Sequence, residues 1–293
     1  GDSACSLPPF SLKHSIVEEL RRQTEILAKS LEVVGLMNIQ FAIQNENVFV
    51  LEVNPRASRT VPFVSKSIGV PIAKVAAKAM VGVSIEEQKI CDQRISPFFC
   101  VKEAVFPFSK FPGVDTILGP EMKSTGEVMG IGKSFAEAFI KSQIAAGINL
   151  PKSGNGGTAF ISVRDHDKQA VISISVSLVR LGFGLLATKG TAAILSKNGI
   201  AVEVINKVAQ GRPHIVDAIK NGEISFIVNT VGDEKNAVTD SLSIRTSALG
   251  SKVATYTTIA GARAAVEGMT TIAQSRLAVY DLQDIHKNIL INS

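Results

Sequence analysis

Residues 51–62, LEVNPRASRTVP, close an apolar run with a glutamate and an asparagine two positions apart, then a proline and two arginines. Alternation of side chains along a strand puts Glu52 and Asn54 on one face. The residues before them fit a hairpin, with MNIQFAI (37–43) as one strand, QNEN (44–47) as the turn and VFVLEV (48–53) as the other strand. With the turn centred on 45–46, Gln40 lies almost opposite Leu51 and diagonal to Glu52. Three oxygen-bearing side chains then converge, a set that suits a hard divalent cation such as Mg2+, which completes its shell with phosphates. Pro55 stiffens the exit, and Arg56 and Arg59 can face a phosphate or a developing oxyanion. The same residues also fit a solvated strand end carrying a surface Glu–Arg pair. Composition alone leaves both readings open.

Outside this stretch, 293 residues with 45% apolar content fit two domains or one large one, with enough apolar surface for a real core. No apolar run approaches the length of a membrane span. The start, GDSACSLPPF, has neither a basic nor an apolar segment and is not a targeting sequence. It has no initiator Met, so the chain reads as a piece of something larger. The net charge is +5, but the basic residues are scattered, and with 5% aromatic residues there is no interleaved stripe for single-stranded nucleic acid. Small anionic ligands account for so mild an excess equally well. Cys5, Cys91 and Cys100 form neither a CxxC pair nor an even framework, which implies a reducing, cytoplasmic setting without a cysteine metal site.

The chain has two rhythms. In the first, HSIVEELRRQTEILAKSLEV (14–33) carries apolar residues at helical spacing, and PIAKVAAKAMV (71–81) opens with Pro as a helix start. Prolines and aromatics between 97 and 113 argue for irregular packing, and residues 124–147 read as a Gly-broken segment followed by a helix ending at Gly147. INLPKSGNGG (148–157) is a turn-rich junction, which places a domain boundary at 149/150. Beyond it, short β-branched runs at 158–163, 183–188, 201–206, 225–230 and 252–258 alternate with helical segments at 166–181, 190–198, 211–221, 236–249 and 260–275. Several of these runs are nearly all apolar, as in a parallel sheet covered on both faces. The fold class is therefore α/β, with an α+β first part and an open parallel-sheet second part. Ligands in such sheets bind beyond the carboxyl ends of the strands, and Arg164, Thr188, Asn206, Asn229 and Thr230 sit at those ends.

Within this second part, LLATKGTAAIL (185–195) ends a strand at Thr188, turns at Gly190 and opens a helix at Thr191. Hydroxyls and free N–H groups at a helix start make a small phosphate cradle, with Ser162, Lys168 and Lys207 able to add a hydroxyl and charge. Ordinary helix capping explains the threonines as well. GNGG (154–157) precedes the first strand instead of following it, so it is linker and no dinucleotide fingerprint. Asp165 and Asp167 read as a solvated turn. His214 is a structural residue at a helix start, and four unpaired histidines exclude a histidine metal site.

Residues 40–80, QFAIQNENVFVLEVNPRASRTVPFVSKSIGVPIAKVAAKAM, closely resemble the second ATP-grasp domain of the carbamoyl phosphate synthetase large-subunit family, and the whole chain is similar to the C-terminal portion of that family. The ATKGTA (187–192) and GRPHIVDAI (211–219) segments resemble its methylglyoxal-synthase-like, Rossmann-type allosteric domain. The resemblance implies residues 1–149 as the end of the ATP-grasp domain with a helical tail, and 150–293 as the allosteric domain. It implies an ATP-dependent ligase that makes carbamoyl phosphate from bicarbonate, glutamine-derived ammonia and two ATP, for arginine and pyrimidine synthesis.

By the same resemblance, Gln40, Glu52 and Asn54 hold Mg2+ or Mn2+ against ATP, K+ is a further cation, and Arg56 and Arg59 contact the phosphoryl groups and the reaction intermediate. Ser162, Lys168, Thr188, Thr191 and Lys207 bind the phosphate of UMP or IMP, with Asn229 and Thr230 near base or ribose. Glu103 and Thr257 flank an ornithine site. The implied partners are a glutaminase small subunit and the rest of the large subunit, with no nucleic acid and no membrane. One departure is visible: NTVGDEKN (229–236) has an apparent extra residue, and Val231 lacks the hydroxyl often found there, which touches effector preference. Without the earlier ATP-grasp lobe the isolated chain is expected to be inactive. A stand-alone nucleotide-binding module without catalysis is the alternative, and a nucleic-acid binder rests on charge alone.

Overall fold

In a computed structural model of the chain, the described residues are 2–90, 97–111, 116–119, 121–151, 157–231 and 235–291. Cys91, residues 152–156 of the 148–157 junction and 232–234 of the NTVGDEKN segment lie outside them. Packing divides the chain into two units, one of Cys5–Cys100 with Val279–Ser293 and one of Asp2–Ala4 with Val101–Ala278. This division at 100/101 differs from the expected boundary at 149/150, because the segment after residue 100 builds a strand–strand–helix layer that packs within the second unit.

The first unit begins with a short strand β1 (Cys5–Leu7) and the helix α1 (His14–Ser30). The hairpin follows as β2 (Asn38–Gln44) and β3 (Asn47–Asn54). Its turn has positive φ at both Asn45 and Glu46 (51° and 67°). This is the primed geometry whose twist matches the flanking strands. Helices α2 (Thr60–Ile68) and α3 (Ile72–Met80) complete the unit's first pass. No helix was expected at α2. Pro62 is tolerated there because it falls in the first turn, where the backbone N–H has no intrahelical partner. Among the described residues the unit buries few apolar side chains: Ile16, Phe63, Val70, Ala76, Cys100 and Ile285.

The second unit opens with two strands that sequence patterning did not foresee. The proline- and phenylalanine-rich region contains β4 (Phe99–Val105), and the Gly-broken segment is β5 (Gly126–Gly132), its neighbour in one sheet. After β4 the described part of the first region ends in a 3-10 turn at Phe108–Lys110. Helix α4 (Phe135–Ala145) packs on β5. A Cβ at Gly130 would stand 2.0 Å from the Ala138 carbonyl oxygen, so glycine is what lets strand and helix approach.

Five parallel strands follow: β6 (Thr158–Ser162), β7 (Gly184–Ala187), β8 (Glu203–Val204), β9 (Ile224–Asn229) and β10 (Ala254–Tyr256). Their spatial order is β10-β9-β6-β7-β8. The connecting helices are α5 (Lys168–Arg180), α6 (Lys189–Lys197), α7 (Ile215–Lys220) and α8 (Lys235–Gly250), and α9 (Ile259–Gln274) follows the last strand. α5 packs with α6 and α9, while α7 packs with α8. Right-handed crossovers put these two groups on opposite faces of the sheet. β9, β6 and β7 are the interior strands, and Ala159, Phe160, Ile161, Phe226, Ile227 and Val228 of β6 and β9 are fully buried. α4 packs on α9, which ties the leading layer to the sheet. The last helix, α10 (Leu282–Ile291), returns to the first unit, where the His286 ring and the Lys66 carbonyl lie 2.6 Å apart.

Candidate functional sites

In the hairpin, Gln40 pairs directly with Glu52, because the register shifts between Gln40 and Phe41 and leaves Leu51 as the extra residue of a β-bulge. The expected diagonal relation is thereby corrected to a direct one. Residues directly opposite across an antiparallel pair share a face. Gln40, Glu52 and Asn54 therefore stand together, and Asn54 Nδ2 donates to Glu52 Oε1 at 2.9 Å. Asn38, opposite Asn54, joins the same face and was not anticipated. All are hard oxygen donors around a single carboxylate, which fits a divalent cation that takes the rest of its shell from phosphates. Among the described residues no group of three or more His, Cys, Asp or Glu could hold a metal without such help. Arg56 and Arg59 are exposed; Arg56 donates to the Ala57 carbonyl at 3.0 Å, and Arg59 immediately precedes α2.

In the parallel sheet the chain runs outward through β6, β7 and β8, then crosses back to place β9 on the other side of β6. The crevice beyond the ends of β6 and β9 is therefore the topological switch point, where open α/β sheets bind ligands. Ser162 and Asn229 are paired across it. They line a cleft together with Arg164, Lys207, Thr230 and Val231. Asn229 is 1% exposed, and its Nδ2 has no hydrogen-bond partner among the described residues. A buried, unpaired amide donor beside a cleft is a costly feature. Ser162 Oγ lies 3.2 Å from Thr188 Oγ1, which lies 3.5 Å from Thr191 Oγ1. This hydroxyl chain joins the cleft to the start of α6, where N–H groups of the first turn point at the same place. Lys168 bonds Asp165 at 2.7 Å, and its Nζ lies 3.2 Å from where a Cβ at Gly190 would be, so a side chain there would crowd the ammonium off the helix start.

The seven residues singled out for a nucleotide, five for its phosphate and two for its base or ribose, thus adjoin one another. The cleft adds Asp240 and Ser241 of α8. Their only sequence signal was position, just past the departing NTVGDEKN segment. Asp165 is exposed as expected, but Asp167 is not part of a solvated turn: it is buried and bonds the Arg164 guanidinium at 2.8 Å. Burial pushes its carboxyl up, but the Thr230 hydroxyl, Arg164 and the His166 ring outweigh this and hold it below the usual carboxylate range. His214 caps α7, accepting from the Asp217 N–H at 3.3 Å.

Glu103 lies on β4. Its Oε2 accepts from Gln143 Nε2 at 2.6 Å and its Oε1 from the Ala104 N–H at 3.1 Å. Burial pushes its carboxyl up, against the pull of these donors and of Lys102. Lys102 is itself buried and paired with Glu127 of β5 at 3.0 Å. Tyr256 donates to Gln143 Oε1 at 3.0 Å, and Thr257, beside it, is exposed.

No helix among the described residues is long and apolar enough to cross a membrane. Residues 1–88 match the family model described as the carbamoyl-phosphate synthase L chain, ATP binding domain, and residues 170–257 match that of the MGS-like domain. The carbamoyl phosphate synthase large chain of Ralstonia nicotianae is 56% identical over 293 residues, 99% of this chain and 27% of its own length. That of Neisseria meningitidis serogroup A is 56% identical over 286 residues, 98% of this chain and 26% of its own. The large chain of Pasteurella multocida is 56% identical over 290 residues, again 99% of this chain and 27% of its own. The chain spans about a quarter of the length of the curated relatives it matches. With an ATP-binding segment ahead of an MGS-like one, and more than half of all positions identical along nearly its whole length, the chain belongs to the carbamoyl phosphate synthase large-chain family.

Proposed function

We propose that the chain is the C-terminal part of the large subunit of a cytoplasmic, glutamine-dependent carbamoyl phosphate synthase. The parent enzyme makes carbamoyl phosphate from bicarbonate, ammonia released from glutamine by a small subunit, and two ATP. Residues 1–149 belong to the domain that phosphorylates carbamate, and 150–293 to the effector domain, with 101–149 as a tail that packs on the effector sheet. The observation that carries the catalytic half of this reading is the bulge at Leu51, which turns Gln40, Glu52 and Asn54 into one oxygen-bearing face.

These three side chains would hold Mg2+ or Mn2+ against the nucleotide; K+ is a further candidate. When bound, the cation neutralises charge on the transferring phosphoryl. Asn54 orients the Glu52 carboxylate through its amide. Arg56 and Arg59, beside the start of α2, offer guanidinium charge to the phosphoryl oxygens that gain charge in the transition state. In the effector domain, Ser162, Lys168, Thr188, Thr191 and Lys207 take the phosphate of a nucleotide such as UMP or IMP, and the Asn229 amide, with Thr230, the ribose or base. Glu103 and Thr257 take ornithine. The reading of the chain as a nucleotide-binding module without catalysis has no observation that favours it over a share in the larger enzyme.

The test is the second phosphoryl transfer run backwards in the intact large subunit: ATP formed from ADP and carbamoyl phosphate. Glu52→Gln should remove this reaction by at least about a hundredfold. Nucleotide binding to the effector domain should be unchanged. Retention of the reverse reaction at near wild-type rate sinks the assignment of the hairpin.

A further inference from the structure

Gln143 is 2% exposed, and its side-chain amide holds one partner at each end within the second unit. Its donor goes to Glu103 and its acceptor to Tyr256. An ionised carboxylate can only accept, which fixes the amide orientation and obliges the Tyr256 hydroxyl to donate. In so buried a place, disturbing one end costs the other a hydrogen bond that solvent does not readily replace. The chain of contacts does not stop at the phenol. Tyr256 is paired with Val228, the residue before Asn229, and its ring lies 5.4 Å from that of Phe226 on the same strand β9. The strand ends at the orphaned Asn229 amide in the cleft.

We infer that Gln143 is a positioning residue that holds the Glu103 carboxylate for a cationic amine and passes the state of that site, through Tyr256 and β9, to the cleft that takes a nucleotide. The inference rests on the effector-domain reading above. It deepens that reading by naming the element both ligands bias. An amine cation that draws Glu103 toward itself changes the hydrogen bond Gln143 can keep. The amide answers at Tyr256, whose backbone pairs with β9 one register position before the cleft floor. Two sites that bias one strand are coupled by a free energy that is the same from either side.

The experiment is calorimetric titration of the 293-residue chain with ornithine, at zero and saturating UMP, and the reverse. The wild-type chain should bind both, each altering the other's affinity by one common factor of about fivefold or more. Gln143→Met should weaken ornithine about tenfold, since it strips a donor from a carboxylate, and keep UMP affinity within about twofold. It should also bring the common factor close to one, an effect that mere loosening of the fold does not produce in a chain that still binds both ligands. Tyr256→Phe, which removes one oxygen, should leave ornithine affinity within about threefold and also abolish the coupling. It decides the matter alone if Gln143→Met fails to fold. A folded wild-type chain that binds neither ligand sinks the effector reading and this inference with it. Binding of both without coupling, or coupling kept in Tyr256→Phe, overturns the inference and leaves the effector reading standing.

Discussion

The hairpin and the parallel sheet carry their polar residues in opposite settings. β2 and β3 form a two-stranded sheet whose Phe49 and Leu51 are 49% and 63% exposed, and their oxygen ligands face outward. A lone hairpin of this kind is marginal by itself. The strands β6 and β9 are covered on both faces, and their ligand groups converge on one crevice floored by the unpartnered Asn229 amide. On the function proposed here, the first arrangement would supply part of a site and the second nearly all of one. Completeness of a site follows from completeness of the core beneath it.

The largest contrast to break is functional. Given ATP, Mg2+, bicarbonate and ammonia, the isolated chain should form no carbamoyl phosphate, while UMP still binds and Lys207→Ala weakens that binding about tenfold or more. Turnover above background, or UMP binding unaffected by the mutation, would erase the distinction between half-site and whole site.

Next in size is Gly130→Ala. The added carbon meets backbone on α4, so α4 must shift from β5; the second unit should lose about 1–3 kcal/mol by chemical denaturation. An unchanged denaturation midpoint would show that the close approach is not required.

Asp167→Asn should cost about 1 kcal/mol at neutral pH, through lost bonds to Arg164 and Thr230. The folded-state pKa lies below the unfolded value, so the wild-type stabilisation is present above the unfolded carboxylate pKa and fades as pH falls through the folded one. The gap between wild type and variant should therefore close on acidification, and a gap that widens toward acid contradicts the assignment.

Leu51→Ser sharpens the comparison from the other side. In this chain Leu51 is exposed at the bulge, and the change should alter stability by less than about 0.5 kcal/mol.

The parallel sheet was legible because its strands are short apolar runs between helical periods, a pattern with few other solutions. Its exact extents were not: the run at 201–206 yields only Glu203–Val204 as strand, and the helix expected from 211 starts at Ile215. β4 was hidden because Pro97, Phe98 and Phe99 dominate the reading of a segment whose later residues, Lys102 and Glu103, look surface-like and are held inside by partners far along the chain. The hairpin's site residues could be named from spacing and from the family resemblance, but not their true register. A bulge is set by twist and packing, and no residue near Leu51 announces it. Asn38, Asp240 and Ser241 were missed for the same reason, since each enters its site from an element whose register sequence does not fix.

The first unit is written in two pieces, with Val101–Ala278 between them. To bring α10 back onto α2, where His286 meets the Lys66 carbonyl, the intervening chain must close a loop. If that loop is unfolded, its closure entropy opposes the return of α10, rising by about 0.6 kcal/mol for each doubling of its length. A folded second unit replaces the floppy loop by two ends at a fixed separation. Anything that stabilises the sheet, a bound nucleotide included, therefore also favours the seating of α10. The two units share stability through the chain itself, as two knots on one cord share its tension.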